Sequence, residues 1–218
     1  MKMKIKAIKT CCALLGVATV LTASNALATI GTITLTEDYG NANSGGAFTA
    51  VTTGGLGTFD TFCLAENVLF HPGTTYNYST SSTIEPSGTS IAIGTAYLYS
   101  QFRLGTLAGY TYGSAASANA LQAAIWWLQG QNFGADNTFV TLAETALGLN
   151  DSTITGADTG VAGGVVYAIN LTGPGGYAQP QLGFTAAVPE PSTVVAGALL
   201  LLPFGVSTVR ILRKNKMS

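Results

Sequence analysis

The stretch from Val188 to the C-terminus divides this chain before any fold is considered. Pro189 and Pro191 fix their own φ and hold the residues before them extended, so a helix starts no earlier than Ser192, with Ser192 or Thr193 as its cap. Residues 193–212 then run apolar, with Arg210 as the one charge, near the far end. At ~1.5 Å rise per residue such a run crosses the ~30 Å of a hydrocarbon core. Pro203 and Gly205 would kink a soluble helix but are tolerated in a membrane. Arg213, Lys214 and Lys216 follow, and the positive-inside rule keeps them cytoplasmic. A buried core helix is the plain alternative; the length and the terminal charges favour a transmembrane helix over residues 193–212.

The opposite end carries a second address. Lys2, Lys4, Lys6 and Lys9 precede an apolar segment from Ala13 to Ala23, and Ala26-Leu27-Ala28 has the small-x-small form of a cleavage site. A signal peptide over residues 1–28 is expected, with a mature start at Thr29. Cys11 and Cys12 lie ahead of the apolar segment, where no lipobox cysteine sits.

Pro189-Glu190-Pro191, the apolar helix and the basic residues around Arg213 and Lys214 resemble the PEP-CTERM sorting signal of bacteria, over residues 188–218. The resemblance implies an exosortase-type processing enzyme as partner. It also implies membrane anchoring through the C-terminal helix before processing, then delivery to the cell surface or an extracellular polysaccharide matrix, as in a biofilm.

Between the two addresses lie residues 29–187, enough for one domain with a real core. Arg103 is the only Lys or Arg there, set against nine of the ten acidic residues. No basic patch can form, which excludes a nucleic-acid partner. With no lysine between Lys9 and Lys214, an internal lysine–asparagine isopeptide bond is excluded too. The rest is rich in Gly, Ser, Thr, Asn and Ala, a composition found on many secreted bacterial surface proteins and equally consistent with no binding role.

Alternation predicts strands over Thr32–Thr36, Ala47–Val51, Gly57–Leu64 and Thr74–Ser79, and again over Val165–Leu171 and Gly176–Phe184. Helical spacing of Ile93, Ala96, Tyr97 and Ser100 predicts a helix within Ser90–Arg103, stopped by Gly105. Ala118, Leu121, Ile125 and Leu128 form one stripe of a second helix over Ser114–Leu128, with Ser117 as a candidate N-cap and Gly130 as its end. A third helix, Thr138–Leu147, opens at Asp136-Asn137 and stops at Gly148; Asn150–Thr159 reads as a polar loop. Strands, helices, then strands give an α+β domain, a β-rich frame with about three inserted helices.

Cys63 is the one cysteine left after signal-peptide removal, so no internal disulfide can close. Many such cysteines are small buried hydrophobes. Gln122 shares a helix face with Trp126 and Gln129, one position off the apolar stripe, which puts it at the core edge, or else makes it an exposed or capping residue.

Phe62-Cys63-Leu64 and Leu121-Gln122-Ala123-Ala124-Ile125-Trp126 resemble the two motifs of bacterial thioester domains, across roughly Asp60 to Gly130. Leu121 stands where that family usually has Thr. By resemblance Cys63 and Gln122 are the partners of an internal thioester crosslink, and Phe62, Ile125 and Trp126 pack around it. The implied role is a covalent adhesion module with an amine- or hydroxyl-bearing acceptor, neither an enzyme nor a holder of any cofactor. Burial opposes thiolate formation, and His71, the only histidine, is a candidate base.

A Cys63–His71 hydrolase pair is disfavoured: the two lie close in sequence, and Pro72-Gly73 follows the histidine as in a turn. One Cys, one His and scattered acids make no metal site, and Asp60 and Glu66 read as solvated. The glycine pairs lack phosphate-loop spacing. The competing function is a non-catalytic structural or polysaccharide-associated matrix protein in which Cys63 is inert and Tyr97, Tyr110, Tyr112 and Trp127 pack or touch glycans.

Overall fold

The computed structural model describes residues 31–42, 45–159 and 164–186. The expected signal peptide, the transmembrane helix over 193–212 and the sorting residues Pro189, Glu190, Pro191, Arg213 and Lys214 lie outside them.

The domain is α+β, a curled sheet with helices packed on it. The strands are β1 (Gly31–Ala42), β2 (Gly45–Thr52), β3 (Thr58–Thr61), β4 (Thr75–Ser81), β5 (Thr83–Ile84), β6 (Thr89–Ser90), β7 (Gly164–Gly173) and β8 (Gly176–Ala186). Six of them form one sheet in the order β3-β2-β1-β4-β7-β8, each neighbour antiparallel to the next. The pair β5–β6, absent from the sequence reading, forms a separate small ribbon; two-residue strands give periodicity too little length to register.

The sheet curls until its edges meet. Just past β3, Cys63 bridges Gln181 of β8 in antiparallel fashion. The Leu64 amide donates to the Pro180 carbonyl (2.9 Å) and the Leu182 amide to the Phe62 carbonyl (3.1 Å). The Thr61 hydroxyl donates to the Leu182 carbonyl at 2.7 Å, and the Tyr99 hydroxyl lies 2.9 Å from both the Asp60 and Leu182 carbonyls. The expected strand through Leu64 therefore ends at Thr61 as a regular ladder and continues as this seam.

Four helices lie between β6 and β7: α1 (Ile93–Arg103), α2 (Ala115–Leu128), α3 (Thr138–Leu147) and α4 (Asp151–Ile154). The last is one turn with a capping box at Asn150, inside the stretch read as a loop, and it buries Ile154. Asn137 caps α3, and Gly148 ends it in the left-handed region at φ 66°, as expected. The α2 cap is Ser114, whose side chain accepts from the Ser117 amide; Ser117 instead receives the Thr111 amide on its own hydroxyl. In α1 the buried face includes Leu98, Tyr99 and Phe102, while Ile93 and Tyr97 are only partly covered. Ala96 and Ser100 of the expected stripe are buried as well, and the buried face is wider than that stripe because helices on one side and sheet on the other both demand apolar partners there.

Two cores result. One lies among the helices and includes Leu98, Leu121, Ile125, Leu128 and Val140, with Phe62 and Leu64 from the seam. The other gathers Ile33, Leu35, Phe48, Ile169 and Leu171 around Cys63, with Trp126 projecting into it from α2.

Candidate functional site

Cys63 and Gln122 meet. Both are fully buried. The Cys63 amide donates to Gln122 Oε1 at 3.0 Å, and Gln122 Nε2 donates to the Cys63 carbonyl at 2.9 Å. An N–H requires an acceptor and a carbonyl a donor, so this reciprocal pair fixes which end of the amide is oxygen. Gln122 is thus a core residue, neither at the edge nor exposed as spacing had suggested. Its carboxamide takes the place of a strand partner for Cys63 at a point where the ladder has ended.

The sulfur has its own partner. Gln181 Nε2 lies 3.5 Å from Cys63 Sγ and also donates to the Gln179 carbonyl at 3.2 Å. Burial pushes the Cys63 thiol up to about 12, and the Gln181 N–H pulls partly against that rise. His71, the expected base, is exposed, and its amide donates to the Tyr76 hydroxyl (2.8 Å). The polar side chain on the sulfur is an amide, and the base expectation for His71 gains no geometric support.

The three supporting residues divide between the cores. Phe62 and Ile125 belong to the helical one, and Phe62 packs edge-on against Phe102 at 5.1 Å. Trp126 alone shares the sulfur's core. Gly45 lies directly over Gln122 and Trp126: a Cβ there would stand 2.4 Å from Trp126 Cη2 and 2.9 Å from Gln122 Cγ. Backbone, an indole and the sheet therefore cover the pair on several sides.

Glu66 is a correction to the reading of a solvated acid. It is buried, and its carboxylate accepts the Asn132 amide at 2.7 Å and the Phe133 amide, while its own amide donates to Gln131 Oε1 at 3.4 Å. It pins the turn after α2 to the segment that follows Cys63. Gln179 does the same from β8, donating to the Ala65 carbonyl at 2.7 Å. Asp60 stays partly exposed and accepts weakly from Thr49 at 3.4 Å.

Sequence reasoning missed Gln181 and misread Glu66 as a solvated acid. A signal for Gln181 was present: Gln179-Pro180-Gln181 sits between Ala178 and Leu182, a polar insertion in a strand buried on both faces.

Of the four aromatics considered as glycan contacts, Tyr97 and Trp127 pack against the helical core. Tyr110 packs there too, and with Tyr112 it lines a cavity of about 370 Å³ together with Asp38, Tyr39, Asp60 and Phe102. The Asp38 carboxyl is raised from its ordinary value by burial and then by the nearby Asp60.

Compared with known protein families, curated proteins and solved structures, the chain matches none.

Proposed function

We propose that the chain is an exported bacterial surface or matrix protein whose domain stores an internal thioester between Cys63 and Gln122 and uses it once, for covalent attachment. The observation that carries this reading is the reciprocal pairing of the Gln122 carboxamide with the Cys63 backbone, at 3.0 and 2.9 Å inside a fully buried site.

The step balances without a co-reactant. Cys63 Sγ bonds to Gln122 Cδ, the Cδ–Nε2 bond breaks, and the thiol proton ends on the departing nitrogen, which leaves as ammonia. Amides are poor electrophiles, so position and charge stabilisation must do most of the work. The Cys63 N–H already lies on Oε1, where negative charge grows as sulfur adds. The Cys63 carbonyl holds Nε2, the leaving nitrogen. Covering by Trp126 and Gly45 keeps water from competing before an acceptor arrives.

Opening by an amine or hydroxyl joins the acceptor to Gln122 and frees the thiol. The domain has no lysine, so an amine acceptor comes from another molecule. One turnover per chain makes this a crosslinking reagent and not an enzyme. Methylamine tests it: the label is expected on Gln122 by peptide mapping, with one new thiol at Cys63. Label on another residue, or none, contradicts it.

Sorting rests on the sequence at both ends. Replacing Pro189, Glu190 and Pro191 with alanine is expected to hold the unprocessed chain in the membrane fraction; unchanged release would oppose that part of the reading.

The cavity favours one second reading, a polysaccharide-associated matrix protein with an inert cysteine. Tyr110 and Tyr112 offer ring faces and Asp38 and Asp60 offer acceptors, a combination suited to sugar C–H faces and hydroxyls. Loss of matrix retention in Tyr112→Ala, with none in Cys63→Ala, would favour it.

A further inference from the structure

We propose that Gln181 is a catalytic residue of thioester formation, its amide N–H holding the Cys63 sulfur and steadying it as the thiol proton leaves. This rests on the thioester reading and names the group that makes the bond possible.

Three observations place it. Gln181 stands directly across the antiparallel bridge from Cys63, so the two side chains leave the same face of the seam. Its Nε2 approaches Sγ at 3.5 Å. Its Oε1 is buried and has no hydrogen-bond partner among the described residues. Turning the amide over would bring the oxygen against the Gln179 carbonyl, which now accepts from Nε2 at 3.2 Å, so the NH₂ end is fixed toward sulfur.

A buried amide with an orphaned oxygen is a poor choice for packing alone. A leucine would fill the same space without that cost. What the glutamine adds is a fixed dipole whose positive end meets the atom that becomes negative. Burial alone works against ionisation of this thiol, and the exposed His71 supplies no relief. A preorganised donor on sulfur, a second on the Gln122 oxygen, and excluded water form one arrangement in which charge on both reacting atoms is met by N–H groups.

The test uses the full chain. Ammonia in excess reverses the reaction and restores thiol and carboxamide; removing it starts the clock, and intact mass follows re-formation across a pH series. Gln181→Leu is expected to re-form the bond roughly ten- to a hundredfold more slowly, the loss of one hydrogen bond to a charged atom. Its rate is also expected to keep rising toward higher pH than the parent's. Thr61→Val is the structural comparison, since it removes a seam bond to Leu182 without touching sulfur; it should melt earlier yet keep the parent's pH profile. Equal rates in Gln181→Leu and the parent overturn the role of Gln181 and leave the thioester standing. Equal slowing in both variants with no pH shift overturns it too, as a seam effect. A parent chain that never sheds ammonia removes the thioester reading, and this one with it.

Discussion

Among the helices, buried side chains such as Leu98, Leu121, Leu128 and Val140 are hydrocarbon, and the polar exceptions are hydroxyls, those of Thr95, Tyr99 and Ser100. Where α2 meets the curl of the sheet, a thiol and the carboxamides of Gln122, Gln179 and Gln181 are buried together, and among the described residues Trp126 Nε1 and Gln181 Oε1 have no hydrogen-bond partner. Both regions exclude water, yet only the second accepts the penalty of buried amide groups. The helical core is built for packing. The seam holds a thiol and its amide neighbours in fixed positions through hydrogen bonds, which is the arrangement the proposed crosslink requires.

The sharpest way to break this contrast is to exchange the two kinds of residue on adjacent positions of α2. Leu121→Gln puts an uncompensated amide into the helical core and is expected to lose about 4 kcal/mol or more in urea denaturation. A loss below about 1 kcal/mol would mean that the helical core tolerates amides as the seam does. Gln122→Leu keeps the volume but orphans the Cys63 amide and carbonyl, so about 2 kcal/mol is expected, together with complete loss of ammonia release. An equally stable Gln122→Leu chain would show that the pairing does not hold the seam.

Much of this contrast was legible in the sequence, though unevenly. The six long strands and three longer helices follow from alternation and from the Asn137 and Gly148 boundaries. Cys63 and Gln122, which the motifs singled out, do meet, through the Gln122 carboxamide and the Cys63 backbone. Gln122 looked like an edge residue because helical spacing ranks a position by its own helix, whereas its cover comes from Gly45 of β2 and from the seam. The roles of Gln181 and Glu66 were not assigned for a related reason: their partners Cys63 and Asn132 lie more than sixty residues away, and only the closure of the sheet and the turn after α2 bring them in. His71 drew attention by its chemistry alone, and the turn at Pro72-Gly73 leaves it outside.

Two smaller effects sharpen the comparison. Gly45→Ala forces a methyl against Trp126 and Gln122, so about 1–3 kcal/mol of destabilisation is expected, with faster opening of the bond by methylamine. Stability lost with no change in opening rate would show that the cover is not what shields the site. The pH effect is the smallest near neutrality. Cys63 is raised from 9.0 to about 12 by burial, so the folded state favours the neutral thiol. That contribution is full below pH 9.0 and is lost as pH rises from there toward about 12. In a Gln122→Leu chain, where the thiol stays free, the urea midpoint should fall across that window more than in the Gln122→Leu, Cys63→Ala double variant. Tyr99, raised from 10.0 to about 12 chiefly by burial, declines in both and cancels in the difference.

Intact mass of the purified chain, beside its Cys63→Ala variant, tests the central claim most directly. A parent lighter than its sequence by one ammonia, with the variant at full mass, is the predicted result. A parent at full mass with a free thiol at Cys63 would contradict it.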